Sequence, residues 1–184
     1  MKGTIVRCLQ ELVEAKGGRA AWGTTLAGAG FSGETYFGTL DDVDDAVVIK
    51  LIGSSAEALK ITTQQAMDAF GEHWAFAYAP SIYGVYYDKC ANARDFLLSL
   101  ASIHVKMTAT MANASPPRFT YDDSSTDQLV MTYASKRGLV ALMPGLVRGV
   151  GRYYKEQLHV SVSGSEVSIR FLSAASKRLE RKSA

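Results

Sequence analysis

The chain has 184 residues, 47% of them apolar and 21% charged, with a formal net charge of +2. That composition suits a single soluble globular domain with a sizeable core, and bulk charge gives no support to nucleic-acid binding. Two cysteines, Cys8 and Cys90, with no CxxC exclude a disulfide framework and a zinc ribbon, and they suit a reducing, cytoplasmic setting. The opening stretch MKGTIVRCLQELVEAKGG is broken by Arg7, Gln10 and Glu11 and does not read as a signal peptide. No later run reaches the roughly 18 to 20 apolar residues that a membrane span needs.

Taken in order, Ile5, Leu9, Leu12 and Val13 share a helical face that Gly17-Gly18 should stop, and a short second helix is expected over 20–27. The DDVDD cluster lacks calcium-loop spacing and suits a solvated helix start, after which Val47, Val48, Leu51 and Ile52 predict another helix. Thr62 and Gln65 have the spacing of a capping box, and Met67, Phe70, Trp74 and Tyr78 continue from it as one stripe. The next helix is expected roughly over 94–111. There Phe96, Leu97, Leu100, Ala101, Met107 and Met111 recur at helical spacing around His104, which therefore faces inward. Ser115-Pro116-Pro117 should end that helix.

Beyond the prolines the period changes to two. RFTYDD, QLVMTYASKR, EQLHVSVSG and EVSIRFL alternate like strands, the last two forming a hairpin around Gly164. A helix, LVALMPGLVRGVGRYYKE, separates the second strand from the third. The fold class is α+β: a mostly helical N-terminal part packed on a small antiparallel sheet with one crossover helix. One domain is expected over 1–175, with a helical lobe over about 1–65 and the histidine helix and sheet over about 66–175. Residues 176–184 form a basic tail or linker.

An imidazole on an apolar helix face is costly to bury unless its donor and acceptor are satisfied. His104 is therefore either a core residue bonded to a carbonyl or a metal ligand, and a lone axial histidine is a common way to hold haem iron. Zinc is disfavoured, because neither His73 nor His159 lies within a turn of it and no cysteine is near in sequence. On a strand, Tyr133, Ser135 and Arg137 would share one face, placing hydroxyls and a guanidinium in a row. Such a row suits carboxylates, since hydrogen bonds to charged groups are worth roughly 1.5–3 kcal/mol each.

With these residues together, the chain resembles the haem nitric oxide/oxygen binding (H-NOX) domains, which include the sensor domain of soluble guanylate cyclase. The resemblance is carried by MKGTIV, by FGEHW at 70–74, by the His104 helix, by SPPRF at 115–119, by the Y-x-S-x-R of Tyr133 to Arg137, and by the later GLV and YYKE. It implies the H-NOX fold, with haem b (iron protoporphyrin IX) enclosed between the helical part and the sheet. By the same resemblance His104 would be the iron ligand, and Tyr133, Ser135 and Arg137 would bind the propionates. Pro117 would press on the porphyrin, while Ile5, Leu9, Trp74, Tyr78, Leu142 and Leu146 would line the pocket.

Members that hold dioxygen stably place a tyrosine five residues after the motif arginine, where this chain has Leu142. Bound dioxygen carries partial negative charge and is stabilised by a donor, whereas NO binds ferrous iron tightly without one. The resemblance therefore implies a non-catalytic sensor of NO, with CO as a further ligand, in which NO weakens or breaks the bond to His104. Trp74 and Tyr78 stand as alternative donors for a dioxygen sensor. The signal would pass to a histidine kinase, a cyclic-dinucleotide enzyme or a fused chemotaxis-type output domain. A haem enzyme would need a polar acid/base pair beside the iron, and a haem carrier would need readily transferred haem.

Overall fold

The computed structural model describes residues 1–109 and 114–172. Helix α1, Gly3–Gly28, bends at Gly18, whose φ of 73° lies in the left-handed region that glycine enters freely. The two helices predicted from the sequence are thus the halves of one kinked element. Helix α2, Asp45–Ala58, begins where Asp44 accepts a hydrogen bond from the Ala46 amide at 2.8 Å, the helix start expected of the DDVDD cluster. Val6, Leu9, Val13 and Leu26 of α1 meet Val48, Leu51 and Ile52 of α2 in the N-terminal core.

Helix α3, Thr63–His73, opens with the predicted capping box: Thr62 Oγ1 accepts from the Gln65 amide at 3.1 Å, and Gln65 Oε1 accepts from the Thr62 amide at 2.9 Å. It runs into a π-helical segment, Trp74–Tyr78, and then into α4, Ala79–Tyr87. The sequence pattern did not indicate α4. The π turn shifts the register by a residue, and Ile82 and Val85 of α4 are exposed, so no single apolar stripe crosses the junction.

Helix α5, Ala93–Thr108, carries His104 and starts at Asn92, whose side chain accepts from the Asp95 amide. The expected extension of this helix to Met111, like the basic tail at 176–184, lies outside the described residues. Strands β1, Arg118–Asp122, β2, Gln128–Ala134, β3, Leu158–Ser163, and β4, Glu166–Phe171, form one antiparallel sheet in the order β1-β2-β4-β3. The β3–β4 hairpin turns at Gly164, φ 59°. A 3-10 turn, Val140–Leu142, and helix α6, Met143–Tyr153, cross from β2 to β3. A second core gathers Phe96, Leu97, Leu129, Met131, Val147, Val167 and Ile169. The fold is the α+β arrangement the periodicities predict. No helix among the described residues is long and apolar enough to cross a membrane.

One expectation is corrected. β2 ends at Ala134, so Ser135 and Arg137 do not continue the strand face of Tyr133. Ser135 Oγ accepts from the Arg137 amide at 3.2 Å, and Gly138 adopts a φ of 62°, which turns the chain away from the ladder.

The two cores are joined where α3 and the π segment lie against α6. A Cβ at Gly145 would stand 2.2 Å from the Asp68 carbonyl oxygen, and one at Gly149 would stand 2.7 Å from that of Glu72. These backbones touch because no side chain intervenes. Gly145→Ala is expected to lower the urea midpoint, by about 1–3 kcal/mol of stability, with an unchanged m-value. A midpoint equal to that of the parent would show that the helices part at no cost.

Candidate functional site

Between the two cores lies a cavity of about 740 Å³, within the roughly 300–1,000 Å³ range of small-molecule and cofactor sites. Its walls come from the start of α1, from α3 through α4, from α5, from the segment entering β1, and from the end of β2 through α6. Most of the lining is aliphatic or aromatic.

The helical phase of α5 turns Leu97, Leu100, His104 and Met107 toward this space, as their spacing predicted. The His104 ring lies 5.8 Å from that of Phe119 between centroids. Its Nδ1 is buried and has no hydrogen-bond partner among the described residues. Burial pushes the His104 pKa below the ordinary histidine value and the Pro117 backbone only partly offsets this, so the ring is neutral at pH 7. A neutral imidazole keeps a lone pair available for a metal. A purely structural histidine would ordinarily have both ring nitrogens satisfied, and here Nδ1 is not.

Tyr133, Ser135 and Arg137 all border the same cavity, although only Tyr133 does so from a strand. The Arg137 guanidinium bonds the Ser115 carbonyl and pairs with Asp45, Nε to Oδ2 at 2.6 Å. The other Asp45 oxygen takes the N-terminal amine of Met1 at 2.8 Å. Burial alone would raise the Asp45 pKa, but the bonds from the amine and Arg137 outweigh it and hold the carboxyl below the usual carboxylate range. The guanidinium at the cavity rim thus already has a carboxylate partner, Asp45.

Ile5, Pro117, Leu142 and Leu146 line the cavity, as do Trp74 and Tyr78. The Trp74 and Tyr78 rings stack at 5.6 Å, and among the described residues the Tyr78 hydroxyl has only a long contact, 3.5 Å, with Thr4 Oγ1. Leu9 is not among the lining residues: it is 1% exposed and packs into the N-terminal core, one turn beyond Ile5. His73 points elsewhere and meets Glu11 at 3.0 Å. Cys8 is a fully buried core residue, its thiol pKa pushed up by burial and by Glu11. Sequence reasoning missed Tyr83, Tyr86 and Tyr87, which α4 brings to the wall, and it missed the Asp45–Arg137 pair. The aromatic density of YGVYY was the one signal for the former; nothing local links residues 92 positions apart.

Residues 2–162 match the haem-NO-binding family. The chain belongs to the haem-NO-binding, or H-NOX, family. Among solved structures it is similar to an H-NOX protein from S. oneidensis in the Fe(II)NO ligation state, at 19% identity over 94% of this chain and 100% of that one, with a TM-score of 0.84. It is also similar to an oxygen-binding H-NOX domain related to soluble guanylate cyclases, solved as the oxygen complex. That identity is 21% over 94% of this chain and 96% of that one, with a TM-score of 0.77. No curated protein matches. The H-NOX family implies haem, and the residues around the cavity fit it: an imidazole whose buried Nδ1 is unsatisfied, mostly apolar walls, and an arginine with hydroxyls at the rim.

If His104 is kept for a ligand rather than for the core, His104→Leu should leave the stability of the haem-free chain unchanged or raised, within about 1 kcal/mol. A loss of several kcal/mol on denaturation would mark the ring as structural.

Proposed function

We propose that this H-NOX domain is a haem-based sensor of NO, also binding CO, with His104 as the iron ligand. The observation that carries the reading is the inward imidazole whose Nδ1 lacks a partner at the wall of an apolar cavity. Ferrous haem, bound there, would supply an iron able to take a diatomic gas.

The chain's own residues do the rest. His104 offers a neutral nitrogen from α5. Arg137, now paired with Asp45, would hold a propionate, with Tyr133 and Ser135 beside it. Pro117, which lines the cavity, would pack against the group. Ile5, Leu142 and Leu146 exclude water from the gas side and offer no donor, which favours ligands that need none over dioxygen. Weakening of the bond to His104 would free the C-terminal half of α5, while its N-terminus stays tied to the β1–β2 loop through Arg94 and Asp123. This two-state element signals to an output partner of the kinase, cyclic-dinucleotide enzyme or chemotaxis type, provided that the gas favours one state over the other.

A second reading rests on Tyr78, which borders the cavity and whose hydroxyl has no close partner among the described residues, so that it could donate to dioxygen. Absorption spectra of the reduced, haem-loaded protein separate the two. The NO reading expects a change with NO and with CO and no stable form in air, in both the parent and Tyr78→Phe. A stable air form that Tyr78→Phe weakens about ten- to hundredfold would establish the dioxygen reading instead, given roughly 1.5–3 kcal/mol for such a hydrogen bond.

A further inference from the structure

The helical path that carries Trp74 and Tyr78 is interrupted so that one carbonyl loses its main-chain donor. Through the π segment the Ala79 amide reaches back five residues to the Trp74 carbonyl, instead of four to that of Ala75. The next position in sequence is Pro80, which has no amide hydrogen. Ala75 is itself buried, so water does not reach its carbonyl freely. The Tyr87 hydroxyl takes the missing donor's place, bonding the Ala75 oxygen at 3.1 Å.

The rest of Tyr87 is held equally firmly. Its ring stacks on Phe96 of α5 with centroids 4.1 Å apart and planes at 27°, and its carbonyl accepts from the Tyr154 hydroxyl at 2.7 Å. Burial raises the Tyr87 pKa, with Tyr154 and Tyr153 adding to the effect, so the phenol keeps its proton and remains a donor. Phe96 lies about two turns before His104 on α5, and both border the cavity. One side chain therefore touches the histidine helix and fixes the turn that presents Trp74 and Tyr78.

We infer that Tyr87 is a positioning residue that transmits displacement of α5 to the π segment, so that the wall bearing Trp74 and Tyr78 follows the state of His104. The trigger rests on the haem reading given above; the contact itself does not. Hydrogen exchange on the full chain, read by mass spectrometry, tests both parts. In the haem-free protein, Tyr87→Phe keeps the stacked ring and loses the donor, and exchange across residues 74–82 should rise about tenfold or more while β4 is unaffected. Adding Pro80→Ala restores an amide beside the orphaned carbonyl and should reverse most of that rise. In the haem-loaded protein, NO should alter exchange in both α5 and 74–82 of the parent, but only in α5 of Tyr87→Phe.

Faster exchange spread equally into β4, absence of rescue by Pro80→Ala, or an NO response at 74–82 that survives Tyr87→Phe would each overturn the inference. A chain that takes up no haem defeats the haem reading, and the haem-free comparison then upholds or defeats the hold of Tyr87 on the π segment by itself.

Discussion

The site is organised around one unfavourable fact, an imidazole nitrogen buried without a partner. Leaving a buried polar atom unsatisfied costs roughly 1–3 kcal/mol, and His104 Nδ1 is in that position. Folding has to meet that cost elsewhere, and the two cores that flank the cavity do so. Their large apolar side chains, from Val6 to Ile52 on one side and from Phe96 to Ile169 on the other, are almost wholly withdrawn from water. The unsatisfied nitrogen thus sits between two well-packed bodies.

What ties the two bodies together also shapes the cavity. Trp74 and Leu146 pack against both cores, and both face the cavity. The backbone contact of Gly145 and Gly149 with the turns of α3 sets how closely α6 approaches the helix that continues into the π segment. Arg152 extends the same contact outward, with its guanidinium 4.0 Å over the Phe76 ring and paired with Glu72. The π segment is therefore clasped from α6 on one side and from α4 and α5, through Tyr87, on the other. Around such a junction, a small change at His104 has packed routes to the opposite wall rather than a soft gap to dissipate in.

Much of this was legible in the sequence, and the failures have physical causes. The capping box at Thr62 and Gln65 and the hairpin turn at Gly164 are local interactions and could be read from spacing. The inward phase of His104 followed from the apolar repeat on α5, because helical geometry converts spacing into a face. Tyr133, Ser135 and Arg137 all border the cavity but not along one strand, since Ser135 bonds the Arg137 amide and the strand ends at Ala134, three residues early. Leu9 shares a helix face with Ile5, yet a single turn carries it from the cavity into the core against α2. Helix α4 escaped because the π turn breaks the period, and the Asp45–Arg137 pair escaped because only tertiary folding brings its members together.

The central claim is that His104 is the residue through which this H-NOX domain holds haem, and replacing its ring by a diffusible one tests this most directly. In His104→Gly, the absorption spectrum of the reduced, haem-loaded protein should differ from the parent's and return to it when imidazole is added, because the free base can occupy the space left at α5. A His104→Gly spectrum identical to the parent's without imidazole would contradict the account, for the iron would then be held by another residue.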